Sequence, residues 1–320
     1  MALDKERITY RPFEYPWAYE YWKKQQQVHW LPEEVTLGDD VRDYKTRLTN
    51  AERNLITQIF RFFTQSDIEI GNCYHKHYMK HFKPYEVQMM LTAFANMETI
   101  HVDAYSHLLD TLGLPETEYE AFLDYKEMKD KFDWLRSFHP DDPMSVAESL
   151  AAFSGATEGM SLFASFAILL NFPRNNKMMG MGDLISWSVR DESLHCEGIA
   201  QLFKTYIEEK KDEINRFELS RRIKIVFEQA VENEDKFIDL AFEMGPVEGL
   251  SAHEMKQYIR YIANIRLTQL GEEAIYDVTK NPLPWLSTML NGVEFGNFFE
   301  TRVTDYSKAA TLGDWEEAYD

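Results

Sequence analysis

Hydrophobic side chains recur at every third or fourth position along most of the chain, the spacing that gives a helix one buried face. Residues 50–82 show this spacing from Asn50, a candidate N-cap, through Ile59 and Phe63, and Pro84 ends it. No segment alternates convincingly between apolar and polar residues, so the pattern predicts an all-α protein. Further helices are predicted over 85–111, 143–173, 180–209, 212–243 and 251–270, with shorter helical pieces over 116–138.

Four long consecutive helices with apolar faces predict a helical bundle, with the remaining helices packed around it. The two ends of the chain differ in composition from this region. Residues 1–30 contain aromatic residues and prolines and are predicted to form an extended N-terminal arm. Residues 31–300 are then a single helical domain, and the polar, acidic residues 301–320 are predicted to be a flexible tail.

Composition and charge exclude several functions. The 54 acidic and 34 basic residues give a formal net charge of −20, which argues against nucleic-acid binding. Cys73 and Cys196 form no Cys-x-x-Cys pair, which excludes a cysteine zinc site and fits a reducing compartment. The N-terminus lacks an apolar signal segment, and residues 162–172, the longest apolar stretch, are too few to span a bilayer. We therefore expect a cytoplasmic protein with no membrane partner, and we interpret this stretch as a buried helix.

Two Glu-x-x-His motifs are the candidate chemistry of the chain. Glu98 and His101 form the first, and Glu192 and His195 form the second. At a spacing of three, both side chains lie on one helical face and can reach the same point. Ordinary residue usage produces about one such motif by chance. Two motifs, each in a different predicted long helix, indicate a shared site.

The other two long helices each place an acidic residue within an apolar face. These residues are Asp67 and Glu158. A carboxylate that faces a core is unfavourable unless it is paired, protonated or bound to metal. One carboxylate from each of two helices and a Glu-x-x-His from each of the other two form the ligand set of ferritin-like dimetal bundles. Such a set suits two iron or manganese ions. The alternative is that Asp67 and Glu158 face solvent and the two motifs are coincidental.

Two other groups of residues have a simpler interpretation when they are considered alone. His75, His77 and His81 include a metal-compatible spacing of four, but they lie roughly 12 Å or more beyond Asp67 along the helix axis, so we predict a surface or amphipathic role. Tyr105 follows His101 by one turn on the same face. By itself it would be a core tyrosine, but beside an oxidising metal centre it is the natural group to oxidise.

The segments METIHVDAY and SVRDESLH resemble the two Glu-x-x-His segments of class I ribonucleotide reductase small subunits, which are ferritin-like proteins. The resemblance extends from HWLPEEV near the start of the chain to FFETRV before the tail. It implies a radical-generating subunit with six metal ligands in two sets. One set is Asp67, Glu98 and His101, and the other is Glu158, Glu192 and His195.

The resemblance also implies roles around the metal ions. Tyr105 matches the tyrosine that stores the radical. Asp191 matches the acid that links a metal-bound histidine to a tryptophan, and Trp30 matches that tryptophan, on the route by which the oxidising equivalent leaves. Tyr306 in the tail is the candidate for the last relay, with Tyr319 as an alternative.

Cofactor and partners follow from the same resemblance. A diiron centre is expected first, because family members without a tyrosyl radical usually lack the tyrosine found here as Tyr105. Manganese–iron and dimanganese centres use nearly the same ligands, and a dimanganese centre would require a flavodoxin-like activator. Nucleotide reduction uses cysteines of a separate large subunit, to which the tail would dock, and a homodimer is expected. Phe166 and Leu162 would keep the site dry, although many relatives carry an aromatic residue at position 162.

Three other functions compete with this interpretation. A ferritin-like dimetal oxidase or oxygenase acting on its own substrate would need the metal site but not Trp30, Asp191 or a tail tyrosine. A metal-storage protein generally has a shorter single bundle. A helical scaffold would bind no metal at all, so metal content separates it from the others.

Overall fold

The computed structural model describes residues 2–290. Apart from an isolated bridge between Val247 and Leu250, the regular structure of these residues is helical, and the all-α helical bundle predicted from the sequence is confirmed. The helices are α1 (Pro16–Gln27), α2 (Gly38–Thr46), α3 (Asn50–Asn72), α4 (Tyr85–Leu112), α5 (Lys126–Arg136), α6 (Pro143–Leu150), α7 (Phe163–Arg174), α8 (Met179–Glu209), α9 (Arg216–Ala241) and α10 (Ala252–Gln269).

Two of the predicted long helices contain π-helical segments. Cys73–Tyr78 continues α3, and a one-turn helix over Met79–His81 follows it. Ala151–Leu162 joins α6 to α7. A π segment changes the direction in which the following side chains point, and such segments occur often at functional sites. The predicted helices over 50–82 and 143–173 are therefore each continuous as a rod but not regular in their hydrogen bonding.

The helix ends follow local chemistry, with one correction to the predicted caps. Thr49, rather than Asn50, is the N-cap of α3: its hydroxyl accepts a hydrogen bond from the backbone N–H of Glu52 at 3.2 Å, and the Glu52 carboxylate accepts one from the N–H of Thr49 at 2.7 Å. Helix α4 ends at Gly113, whose φ of 77° suits glycine. The prediction placed the cap one residue late because both residues have side chains that can cap a helix.

Residues 16–27 differ from the expectation of an extended N-terminal arm, because they form α1. Pro16 stands in the first turn, where its missing N–H costs no hydrogen bond. The segment just before α1 is tied down by the Glu86 carboxylate of α4, which accepts hydrogen bonds from the backbone N–H groups of Glu14 and Tyr15 at 2.8 and 3.0 Å. Helix α1 packs mainly on α4 and also contacts α8.

The core is built around four rods: α3, α4, α8 and the rod that contains the second π segment. Helices α3 and α4 pack together along their length, and Ala151–Leu162 lies against α8, α9 and α10. All residues of that π segment are buried. In the part of the chain that is described, the rod Pro143–Arg174 is long and apolar enough to cross a membrane, but its apolar window is wholly buried, as expected for a core helix.

The contacts divide the chain after Pro282. Residues 2–282 form one compact unit, and residues 283–290 belong to a second unit. The predicted boundary at residue 300, the tail over 301–320 and both tail tyrosines lie outside the described residues. The domain limits of 1–30, 31–300 and 301–320 therefore stay predictions.

Candidate metal centre

Six buried side chains from four rods meet in the middle of the bundle. Helix α3 provides one carboxylate, the second π segment provides another, and α4 and α8 each provide a glutamate and a histidine. Each side chain belongs to a residue that is at most 1% exposed. They are the six residues predicted as ligands: Asp67, Glu98, His101, Glu158, Glu192 and His195.

The six side chains form two overlapping groups. Donor atoms of Asp67, Glu98 and His101 lie within 4.8 Å of one another, and we call the first set (Asp67, Glu98, His101) the first half-site. Donor atoms of Glu98, Glu158, Glu192 and His195 meet the same criterion. Glu98 therefore belongs to both groups. We call the other three residues of this group (Glu158, Glu192 and His195) the second half-site.

The two Glu-x-x-His motifs are interlocked across the bundle. His195 Nδ1 lies 3.0 Å from Glu98 Oε1, and His101 Nδ1 lies 3.1 Å from Glu192 Oε1. Each motif glutamate is also near its own histidine, at 3.5 Å for Glu98 and 3.4 Å for Glu192. Both glutamates thus lie between the two imidazoles, where each could contact two ions at once.

Most of the donor atoms have no hydrogen-bonding partner that would explain their burial. Both oxygens of Asp67, Glu98 and Glu192 lack a hydrogen bond, as does the Nδ1 atom of each histidine. Unpaired polar atoms in a core are unfavourable. A pair of divalent or trivalent cations would satisfy all of them, and the carboxylate and imidazole donors fit iron or manganese.

The pKa shifts show how strongly this cluster favours added positive charge. Burial raises the pKa of Asp67 well above its ordinary value, and the Glu98 carboxylate adds to the shift. Burial likewise raises the pKa of Glu158 to about 7. For Glu192 burial acts in the same direction, but the two imidazoles outweigh it and lower the pKa to about 2. Carboxylates this close cannot all be ionised without cations between them.

The histidines respond to the same carboxylates. Burial lowers the pKa of an imidazole, yet Asp191, Glu192 and Glu98 outweigh it and raise the pKa of His101 well above its ordinary value. The pKa of His195 is raised in the same way, with burial again opposed by the surrounding glutamates. Without metal, protons on the imidazoles would compensate part of the negative charge, and metal binding would displace them.

Asp191 links the first half-site to Trp30. Its Oδ2 atom accepts a hydrogen bond from Trp30 Nε1 at 2.7 Å and lies 3.4 Å from His101 Nε2. Its Oδ1 atom accepts one from Gln25 Nε2 at 3.1 Å. Burial opposes ionisation of Asp191, but His101, Arg190 and Trp30 outweigh it and lower its pKa. The structure thus brings together the histidine, acid and tryptophan that were predicted, and adds Gln25 from α1.

Tyr105 lies beside the first half-site. Its ring is nearly parallel to the imidazole of His101, with 6.3 Å between ring centroids. Phe60 and Phe63 pack against it at 5.6 and 5.2 Å. Burial and the Asp67 carboxylate raise the pKa of Tyr105 well above its ordinary value, so the phenol keeps its proton. Phe166 packs 5.5 Å from Phe63, in the dry shell that was predicted.

Sequence reasoning missed Tyr74, which contacts the second half-site. Its hydroxyl donates a hydrogen bond to Glu158 Oε1 at 2.7 Å, and the residue is 2% exposed. Tyr74 follows Asp67 by seven residues, the spacing by which Tyr105 follows Glu98. The same two-turn spacing marks Tyr74 as a candidate, but it does not predict the contact with Glu158.

The histidines of the HKHYMKH segment do not join either half-site. His81 Nε2 lies 2.6 Å from the carbonyl oxygen of Pro140. His75 is exposed and lines a cleft of about 270 Å³ that also reaches Asp67 and Glu98 between α3 and α4. The cleft therefore borders the first half-site.

Comparison with known proteins decides the family. The sequence profile described as "Ribonucleotide reductase, small chain" matches residues 7–282. Protein 376L of Invertebrate iridescent virus 6, which carries the name "Probable ribonucleoside-diphosphate reductase small subunit", is 41% identical over 100% of this chain and 99% of its own length. This chain belongs to the ribonucleotide reductase small-chain family.

Solved structures agree in fold. The ribonucleotide reductase R2 subunit from Clostridium botulinum has a TM-score of 0.79 at 22% identity and covers 87% of this chain and 89% of its own. The dimanganese(II)-NrdF of Streptococcus sanguinis has a TM-score of 0.74 at 20% identity, over 87% of this chain and 96% of its own. The resemblance to class I ribonucleotide reductase small subunits is confirmed. The chain is an oxidoreductase subunit, and its partner is a large subunit.

Proposed function

We propose that this small subunit generates a tyrosyl radical and passes the oxidising equivalent to the large subunit for the reduction of ribonucleoside diphosphates. The observation that carries the proposal is the interlocking of Glu98 and Glu192 between His101 and His195, with every donor atom buried. In this proposal Glu98, Glu192, His101 and His195 would hold the two ions. Asp67 would add a ligand in the first half-site, and Glu158 would add one in the second.

The two ions, when bound, would supply the redox chemistry that reduces oxygen and oxidises a nearby phenol. Tyr105 is the phenol that we assign to this step. It would lose one electron and its phenolic proton and retain the radical. Its burial against Phe60 and Phe63 supports this role, because a radical survives only where water and reductants are excluded.

The exit of the oxidising equivalent is assigned to the Asp191 network. The hydrogen bond from Trp30 to Asp191, and the proximity of Asp191 to His101, give a continuous polar connection from the first half-site to the tryptophan. The Asp191 carboxylate would accept hydrogen bonds from the ring N–H groups of Trp30 and His101 and would thereby fix the orientation of both rings. Tyr306, outside the described residues, stays the candidate for the last relay, and Tyr319 is the alternative.

Metal identity is part of the proposal. We expect a diiron centre first, since Tyr105 is present. Manganese–iron and dimanganese centres are alternatives with the same donors. The similarity in fold to a dimanganese protein of Streptococcus sanguinis keeps that option open, and a flavodoxin-like activator would then be required. A homodimer and a cytoplasmic location remain expectations.

Tyr105→Phe tests the radical assignment. The protein is loaded with ferrous iron, exposed to oxygen, and examined by metal analysis and low-temperature EPR. We expect two metal ions per chain in wild type and variant, and a tyrosine-type radical in wild type only. Tyr78→Phe removes another buried phenol and is the matched control, which should keep the radical. A radical that persists in Tyr105→Phe would contradict the assignment.

Truncation separates the reductase from the oxidase or oxygenase alternative. Removal of residues 306–320 should abolish nucleotide reduction with the large subunit and leave the metal content and the radical unchanged. An oxidase acting on its own substrate would not need the tail. Full reductase activity of the truncated chain would therefore overturn the proposed role of this segment.

A further inference from the structure

We infer that Tyr74 is a positioning residue that restricts Glu158 to one metal-binding oxygen. The inference rests on the proposed dimetal site. It assigns a specific function to a tyrosine beside Glu158 and His195, and it concerns the coordination of the second half-site rather than the radical.

The two oxygens of Glu158 have different surroundings. Oε1 accepts the hydrogen bond from the Tyr74 hydroxyl at 2.7 Å. Oε2 is buried and has no hydrogen-bonding partner. A carboxylate that binds through one oxygen leaves the other free for a hydrogen bond, whereas one that chelates an ion uses both. Oε1 also lies 3.8 Å from His195 Nδ1, but its hydrogen bond to Tyr74 competes with metal binding, and we therefore assign the unpaired Oε2 as the metal-binding oxygen.

The position of Tyr74 is fixed from several sides. Its ring packs edge-on against Tyr78 at 6.0 Å, Phe94 at 6.2 Å and His195 at 6.3 Å. Tyr74 lies in the first π segment and Glu158 in the second. Because the ring is packed and buried, its hydroxyl cannot turn to solvent and stays directed at the carboxylate.

No other carboxylate of the centre is restrained in this way. Both oxygens of Asp67, Glu98 and Glu192 are without hydrogen bonds. For Glu98 and Glu192, two free oxygens suit a position between two ions. Glu158 has one free oxygen, because the Tyr74 hydroxyl is bonded to the other. The hydrogen bond thus distinguishes Glu158 from the other three carboxylates of the centre, whose oxygens are all unpaired.

Tyr74→Phe removes this restraint with little change in shape. We expect Glu158 to bind its ion through both oxygens, because Oε1 would otherwise remain buried without a partner. The extra bond raises the coordination number of that ion. In protein loaded with Co²⁺, whose visible absorption weakens as coordination number rises, the variant should bind two ions and lose part of the absorption of the wild type.

Tyr78→Phe is the matched control. Tyr78 is also buried, stands one turn further along and shares a hydrogen bond with Ser149 at 3.2 Å, away from the ligands. Its loss should leave the Co²⁺ spectrum unchanged. If both variants change the spectrum alike, the role of Tyr74 is merely structural and the inference is wrong. An unchanged spectrum in Tyr74→Phe would also overturn it.

A crystal structure of the Mn²⁺-loaded wild type tests the same point if Tyr74→Phe does not fold. We expect Glu158 to bind through Oε2 alone, with the Tyr74 hydroxyl within hydrogen-bond distance of Oε1. Chelation by Glu158, or a Tyr74 hydroxyl turned elsewhere, overturns the inference while the dimetal proposal stands. A wild type that binds no metal at all would instead refute the proposed function.

Discussion

The two half-sites have the same donor types but are supported differently. In the first, the histidine is anchored: His101 Nε2 lies near Asp191, which is bonded to Trp30 and Gln25. In the second, His195 Nε2 has no hydrogen-bonding partner in the described part of the chain, and the Phe94 ring packs on the imidazole at 4.4 Å. In this half-site the supporting hydrogen bond is donated by the Tyr74 hydroxyl to the Glu158 carboxylate, not to an acceptor beside the histidine.

This difference assigns separate tasks to the two sides of the centre. Metal-binding histidines usually donate their second N–H to a carboxylate or carbonyl, which fixes the ring and its basicity. His101 follows that pattern and His195 departs from it. The first half-site thus has a polar connection toward Trp30 and has Tyr105 beside it. In the second half-site, the rings of Phe94 and Tyr74 pack against His195. We expect electron and proton movement on the first side only.

The shared glutamates should give the largest effect. Glu98→Ala removes a donor that lies near both histidines, so we expect both metal ions to be lost. Asp67→Ala, the matched variant, removes a donor of the first half-site only and should leave one ion per chain. Metal analysis after gel filtration measures both. Retention of one ion in Glu98→Ala would show that the two half-sites are independent.

Asp191→Ala should give an intermediate effect that is confined to one side. It leaves His101 Nε2 and Trp30 Nε1 without their acceptor. We expect metal affinity at the first half-site to fall about 10–100-fold, with the second little changed. Competition with a chelator gives the two affinities. Gln25→Ala removes only the 3.1 Å bond to Asp191 and should have a smaller effect. An equal loss at both half-sites would refute the assigned asymmetry.

The smallest effect concerns the packing of Phe94 against His195 in the second half-site. A Cβ at Gly198 would lie 2.8 Å from Cζ of Phe94, which packs on His195, so Gly198→Ala should lower the free energy of unfolding by about 1–3 kcal/mol. A Cβ at Gly71 would meet Glu98 at an ordinary 3.5 Å, and Gly71→Ala should be neutral or gain up to about 1 kcal/mol. Urea unfolding compares them. Equal stability of the two variants would mean that Phe94 can move enough to accommodate the added methyl group.

Much of the centre could be predicted from the sequence because its ligands follow helical spacing. Glu98 with His101, and Glu192 with His195, share a helical face at a separation of three residues. Asp67 and Glu158 stood out as acids within apolar faces. The connection of Asp191 to Trp30 came from the resemblance to a family, since no spacing rule joins residues so far apart in the chain.

Other features could not be predicted from the sequence. Helix α1 was expected to be extended, because aromatic residues and prolines hide its helical pattern, and its packing on α4 stabilises it. The π segments leave no simple periodic signal. Tyr74 had the two-turn spacing of Tyr105, yet only the fold shows that its hydroxyl reaches Glu158 rather than the core.

The sequence by itself determined which side chains can bind metal, since residue type and helical period are local properties. It also determined the all-α class, because apolar positions recur with that period through most of the chain. Only the tertiary structure decided how the two motifs interlock, which histidine is anchored by Asp191 and which by an aromatic ring. These are contacts between helices, and they depend on the packing angles and π turns that place distant residues within 3–4 Å of one another.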